Sequence, residues 1–265
     1  MFDTITLSKD ARGVATITLN RPDKHNALSG QMIADLSTAI ADLEQDRSVR
    51  VVVLMGQGRS FCAGGDLAWM RAQMDADSAT RAAEARKLAD MLGAMNRLPK
   101  PVIARVHGAA FGGGVGLCCV ADHVFATPEA TFGLTETKLG LIPATIGPYV
   151  LARIGAGAAR QVFMSSRPFD AAKARQLRIV SDVAPVQALD DAVETEIQAY
   201  LVCAPAAVAE AKKMTLEQGG APDKAATDAS IAALVARWEH PEARAGITAF
   251  FDRKAPPWAH DTASN

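Results

Sequence analysis

Four cysteines are the whole thiol complement of these 265 residues, and none stands in a CxxC pair or at a Cys/His ligand spacing. That excludes a disulfide framework or zinc ribbon, and it reads Cys62, Cys118, Cys119 and Cys203 as reduced packing residues in a reducing compartment. Neither charge sign dominates: the net charge is −1, which argues against nucleic acid or an anionic membrane as the main partner. No apolar run reaches the roughly 18 residues that a membrane span needs. The opening MFDTITLSKD shows no basic, apolar-cored leader, so a cytoplasmic location is expected. What is present is 49% apolar and 22% charged, the balance of a globular chain long enough for one large domain or a domain with an appendage.

The chain turns on Pro101–Gly116, PVIARVHGAAFGGGVG. Val102–Val106 reads as a short strand buried on both faces and Val115–Val120 as a buried helix. Gly108, Gly112, Gly113, Gly114 and Gly116 lie around their junction. A strand feeding a helix through glycines leaves free backbone N–H groups at a positive helix end, a place for an anion or a developing negative charge. A tight turn under close packing is the alternative. A second such loop, GQGRSFCAGGDL, follows the apolar run Val49–Met55 and leads into a helix near Leu67–Met74. Two N–H groups converging from separate loops make an oxyanion hole, each donor worth on the order of 3 kcal/mol where charge develops. A thioester carbonyl, which becomes an enolate when a proton moves at its α-carbon, suits such a site.

Elsewhere, Thr4–Leu7 and Val14–Leu19 alternate like strands about a turn at 9–13. Ser29 is a plausible N-cap for an amphipathic helix over 30–45, with Met32, Ile33, Leu36, Ile40 and Leu43 at helical spacing. A longer helix is expected over 78–98, stopped by Pro99 and Pro101. Short strands are expected at His123–Ala126, Ala130–Phe132 and Ile179–Val183, and TETKLGLIP as a loop. Short helices are expected in TIGPYVLARIG and AGAARQVFM, and alanine-rich helices from Val186 to about Arg253. This is an α/β chain whose site should lie at the carboxyl ends of strands.

FCAGGDL at 61–67, HGAAFGGGVGL at 107–117 and FGLTETKLGLIP at 132–143 resemble the signature segments of the enoyl-CoA hydratase/isomerase (crotonase) family. NRPDKHNALS at 20–29 and GITAFFDRKAPPW at 246–258 are similar to its first-turn and C-terminal segments. The resemblance implies a spiral of ββα repeats over 1–184, a helical trimerisation region over 185–265, and trimers or pairs of trimers. It implies an acyl-CoA thioester as substrate, with no cofactor beyond the CoA that the substrate carries. Carried over by position, Gly65 and Gly113 are the oxyanion donors. Ala63, Gly65, Asp66 and Leu67, with the turn that holds Lys24, Ala27 and Leu28, line the CoA arm. Glu136 is one of the two glutamates that handle water in the family's hydratases. The other position, three residues after Gly113, holds Gly116 in this chain.

The apolar neighbours of Glu136, namely Phe132, Leu134, Leu139 and Leu141, would raise its pKa into acid/base range. Asp66 reads as a helix-start carboxylate that fixes its loop, and His107 as a hydrogen-bonded strand-end histidine. Trp69 and Met70 pack in the core or along an acyl pocket, and Cys118 and Cys119 are helix-core residues. A dinucleotide fingerprint fails on spacing, since Leu117 stands where its third small residue belongs and Asp122 comes too early for the ribose. An RNA-binding role, associated with one branch of the family, is disfavoured by the charge balance. Hydration of a 2-enoyl-CoA is the expected reaction, and Δ3,Δ2-enoyl-CoA isomerisation, which needs one glutamate, is the alternative. FCAGGDLAWM and ATIGPYV look most like the bacterial methylglutaconyl-CoA and isohexenylglutaconyl-CoA hydratase branch. The expected substrate is therefore 3-branched, 3-methylglutaconyl-CoA in the first instance. Gly116 would leave room for the branch, and Arg71 is a candidate carboxylate partner.

Overall fold

A computed structural model describes residues 2–259. The chain opens with strands β1 (Ile5–Lys9) and β2 (Val14–Leu19), paired antiparallel with Ile5 opposite Leu19. Helix α1 (Gly30–Gln45) begins where expected, the Ser29 hydroxyl accepting from the Met32 N–H at 3.2 Å. It buries Met32, Ile33, Leu36, Ala39, Ile40 and Leu43. Each of the larger side chains, leaving Ala39 aside, contributes about 1.5–3 kcal/mol of transfer free energy.

Next come β3 (Val51–Gly56), α2 (Leu67–Asp75), α3 (Ser78–Arg97) and β4 (Val102–Val106). After β4 the chain forms β5 (Ala109–Phe111), α4 (Gly113–Val120), β6 (His123–Ala126) and β7 (Thr131–Gly133). The rest of the core is α5 (Gly147–Phe163), β8 (Phe169–Asp170), α6 (Ala171–Gln176) and β9 (Asp182–Val183). The main sheet runs β1-β2-β3-β4-β6-β9, parallel from β2 onward, and its central strands are apolar on both faces as a covered parallel sheet requires. A second small sheet holds β5, β7 and β8.

Four expectations shift. Strand β7 lies one residue later than Ala130–Phe132. Residues 136–139, read as loop, close a 3-10 turn ending at Gly140, whose φ is 75°. The two helices around residues 147–163 form one run broken at Gly155, where φ is 73°. The last strand shrinks to Asp182–Val183, because Ile179 and Val180 donate back to the Ala174 carbonyl and finish α6.

After Val183 the described chain is helical: α7 (Leu189–Leu201), α8 (Pro205–Gln218), α9 (Lys224–Glu239) and α10 (Pro241–Phe251). Leu189, Val193 and Ile197 of α7 cover the outer sheet face made by Val14, Val51, Val53, Ile103 and Phe125. Helices α9 and α10 instead fold over the 139–141 segment: Trp238, Ala243 and Ile247 pack with Leu141, Leu139, Met70 and Met74. Arg237 clamps this arrangement by donating twice to the Gly140 carbonyl, at 3.0 and 2.7 Å. The tail of the segment expected over 185–265 lies outside the described residues beyond 259. Among the described residues no helix is long and apolar enough to cross a membrane.

Candidate active site

The two glycine loops are zipped into one layer by backbone pairing. On one side Ala63 N–H donates to His25, Leu28 N–H to Gly64 and Asp66 N–H to Leu28, at 3.0, 2.7 and 3.0 Å. On the other side Phe61 N–H donates to His107, Cys62 N–H to Ala109 and Phe111 N–H to Cys62, at 2.9, 3.0 and 2.9 Å. Strand β5 then pairs with β7, and Gly112 N–H donates to Gly133 at 2.9 Å. Two amides next to the cavity are left out of this pairing. Gly65 N–H has no backbone acceptor among the described residues. Gly113, the first residue of α4, has none within its helix.

Gly112 enters α4 at φ 47°, a conformation that side chains disfavour. A Cβ added there would lie 3.0 Å from Glu136 Oε1 and 3.7 Å from the Gly64 Cα, so the glycine lets both loops and the carboxylate approach.

Anchors hold the strip from behind. The fully buried Asn26, at φ 54°, donates to the Gln57 and Ser60 carbonyls at 2.9 and 2.8 Å and accepts from Arg21 N–H at 2.9 Å. Asp66 caps α2 through the Ala68 and Trp69 amides and pairs with Arg21 at 2.9 Å. Burial pushes its carboxyl up, but Arg21 and the two amides outweigh that and hold it below the usual range. This is the loop-fixing role expected of Asp66. Asn26 and Arg21 were not singled out from the sequence, although asparagine's tolerance of left-handed backbone marks it in the turn.

The site opens into a cavity of about 120 Å³ lined by Leu28, Gly65, Gly113 and Glu136 at the reacting end. Trp69, Met70, Leu88, Ile142, Thr145 and Ile146 continue the lining, and Leu234 and Trp238 of α9 close it. Trp69 and Met70 are thus cavity residues. Of the remaining expected contacts, Ala27 is buried, Lys24 and Leu67 are exposed, and Ala63 and Asp66 follow the 61–67 strip; all lie outside the cavity.

Glu136 Oε2 is buried without a hydrogen-bond partner. Burial pushes its carboxyl up to about 7, against 4.5 in water, with its own backbone N–H opposing weakly. A carboxyl there exchanges protons near neutral pH. The thiols do not compete: burial pushes Cys62 and Cys119 up to about 12, and Cys118 well above its ordinary value. His107 donates from Nε2 to the Gly58 carbonyl at 2.7 Å, as a strand-end histidine. Asp122 is taken up by Val102 N–H and Lys212, both at 2.7 Å, which leaves no free acid for a ribose.

Two expectations are corrected. Gly116 does not open space for a substrate branch, because a Cβ there would meet Ile146 Cγ2 at 2.6 Å and Leu92 Cδ1 at 3.6 Å. The volume is filled by Ile146, which itself lines the cavity. Arg71 does not offer itself to a substrate carboxylate, since its guanidinium lies 4.4 Å from the centre of the Phe251 ring.

Gly65 and Gly113, whose amides have no backbone acceptor among the described residues, line one cavity with a carboxyl pushed up to about 7, an arrangement able to hold a developing negative charge beside a proton carrier. A family model described as enoyl-CoA hydratase/isomerase matches residues 9–261, and the chain belongs to that family. The structure of an enoyl-CoA hydratase/isomerase from Marinobacter aquaeolei is 38% identical, with a TM-score of 0.78 over 97% of this chain and 99% of that one. An enoyl-CoA hydratase from Shewanella pealeana is 35% identical, with a TM-score of 0.79 over 97% of each chain. One from Mycobacterium avium is 29% identical and superposes with a TM-score of 0.87 over 98% and 100%. The spiral architecture expected from the sequence is the one these neighbours share.

Proposed function

We propose that this enzyme is a hydratase that adds water across the 2,3-double bond of a 3-branched enoyl-CoA, using one carboxylate. The observation that carries the reading is Glu136, whose Oε2 is buried and unpartnered in the cavity that Gly65 and Gly113 also line. The water oxygen bonds to C3 while Glu136 takes one water proton. The π electrons pass to the thioester oxygen, held by the Gly65 and Gly113 N–H groups. The enolate then collapses and C2 takes the proton back from Glu136. The net addition is H and OH, and the carboxylate is regenerated. The CoA arm runs along Lys24, Ala27 and Leu28 and along Ala63–Leu67. No further cofactor takes part.

The cavity supports a compact acyl group, close to the roughly 150 Å³ that accommodates benzene in an engineered protein cavity. Glu136 is the one charged side chain in its lining, so a distal carboxylate would be desolvated there without a counter-ion. Among 3-branched substrates this supports an apolar tail, as in 3-methylcrotonyl-CoA, over 3-methylglutaconyl-CoA. Isomerisation of a 3-enoyl-CoA is the second reading, favoured by the lack of a carboxylate at Gly116. Association as a trimer or pair of trimers through 185–265, in the cytoplasm and without nucleic acid or membrane, accompanies the proposal.

The test follows disappearance of the enoyl thioester, with products identified, for 3-methylcrotonyl-, 3-methylglutaconyl-, crotonyl- and 3-hexenoyl-CoA. Hydration of the branched apolar substrate is expected, reduced ~10²–10⁴-fold in Glu136→Gln. Near-normal turnover by the Gln variant would overturn the Glu136 assignment. Isomerisation without hydration would establish the second reading.

A further inference from the structure

Water adding to C3 must aim a lone pair at carbon while giving up one proton. A single carboxylate accepts one of its hydrogens and leaves the other free to swing; a second acceptor removes that freedom. Gly116 supplies no such group, and Ile146 occupies the space beside it. The residue immediately before Ile146 is Thr145, 8% exposed and part of the cavity lining. Of all the lining side chains, only Glu136 and Thr145 carry an oxygen. Glu136 Oε2 is buried with no hydrogen bond, whereas the Thr145 hydroxyl is not one of the closed-off unpartnered atoms among the described residues. A hydroxyl in a cavity lining can donate to and accept from a water held there.

We infer that the Thr145 hydroxyl holds the attacking water, accepting its second hydrogen while Glu136 accepts the first. This rests on the hydratase reading and adds a residue to it. Thr145 transfers no proton: Glu136 alone takes the water proton and delivers it to C2, and the threonine keeps its own. Its contribution belongs to water addition and not to enolate formation, which needs only Glu136 and the two amides.

The test uses Thr145→Val, which keeps the shape and removes the hydroxyl, and Thr145→Ser, which keeps the hydroxyl. Two rates are read: hydration of the best 2-enoyl-CoA, and exchange of α-protons of a saturated acyl-CoA with deuterium oxide by NMR. Exchange uses Glu136 and the amides but no added water. Thr145→Val is expected to lose about tenfold to hundredfold in hydration kcat with little change in KM, as for a misplaced reactant. Its exchange rate should stay within about twofold of the parent, and Thr145→Ser should restore most of the hydration. Unchanged hydration in Thr145→Val, parallel loss of both rates, or no rescue by serine would each overturn the role. Should the valine variant not fold, Thr145→Ala is read in the same way. A parent enzyme that exchanges α-protons but hydrates nothing would instead refute the hydratase reading, and this inference with it.

Discussion

Replacing Glu136 by glutamine should change stability with a sign that depends on pH. Burial holds this carboxyl at about 7 in the folded chain, against 4.5 in the open one. Between those values the folded protein keeps a proton that the unfolded chain releases. Wild-type stability therefore falls as pH rises from about 4.5 to about 7 and levels off above. At about 1.4 kcal/mol per unit, the window amounts to about 3 kcal/mol. Glutamine does not titrate, so the variant should gain about 3 kcal/mol relative to the parent on going from pH 4.5 to pH 8. Oε2 is unpartnered, and an amide left equally unpaired costs roughly 1–3 kcal/mol at every pH. That cost shifts the difference curve but not its slope. The assay is denaturant unfolding of both proteins across pH 4.5–8 at one fixed concentration, so that any self-association contributes equally. The same titration should appear in kinetics, with wild-type hydration falling below a pKa near 7 because the protonated carboxyl cannot accept the water proton. Parallel stability curves for the two proteins would refute burial as the origin of the shift.

Gly113→Val should fold and lose about 10²–10³ in kcat, because its Cβ would start 2.5 Å from Leu28 Cδ1 and displace the wall beside the donor amide. A variant that still lowers the carbonyl stretching frequency of a bound thioester as the parent does would count against Gly113 as a donor. Gly116→Glu alone should lose about 1–3 kcal/mol by overpacking and gain no activity on crotonyl-CoA, since Ile146 holds the space it needs. Combined with Ile146→Ala it should recover stability and hydrate crotonyl-CoA; equal behaviour of the single and double variants in unfolding and turnover would refute the coupling.

Much of the frame was legible because it follows period and punctuation. Helix α1 carries its apolar stripe and its Ser29 cap in plain order, and Val51–Gly56 is apolar throughout and Val102–Val106 apolar but for Arg105, as suits strands covered on both faces. What was not legible is short and held by long-range pairing. Strands β5 and β8 have three and two residues, too few for any period, and exist because the neighbouring loop or strand completes their hydrogen bonds. The same holds for the 25–28 and 61–66 segments, whose pairing turns two flexible glycine loops into a rigid strip.

The site divides along the same line. Gly65, Gly113 and Glu136 stand inside contiguous motifs, and the fold brings the three to one cavity, but the groups around them were not legible in the sequence. Glu136 reaches about 7 only because distant segments bury it: Leu234 and Trp238 come from α9, about 100 residues on, and close the cavity from the far side. Gly116 shows the limit of reading one position at a time. Its missing side chain reads in the sequence as empty space, and in the folded chain that space belongs to Ile146. Filling the gap with an isoleucine keeps the packing intact. The pair Gly116 and Ile146 is thus one structural decision, and beside it the Thr145 hydroxyl is the one side-chain oxygen of the lining besides Glu136 that is able to accept from an attacking water.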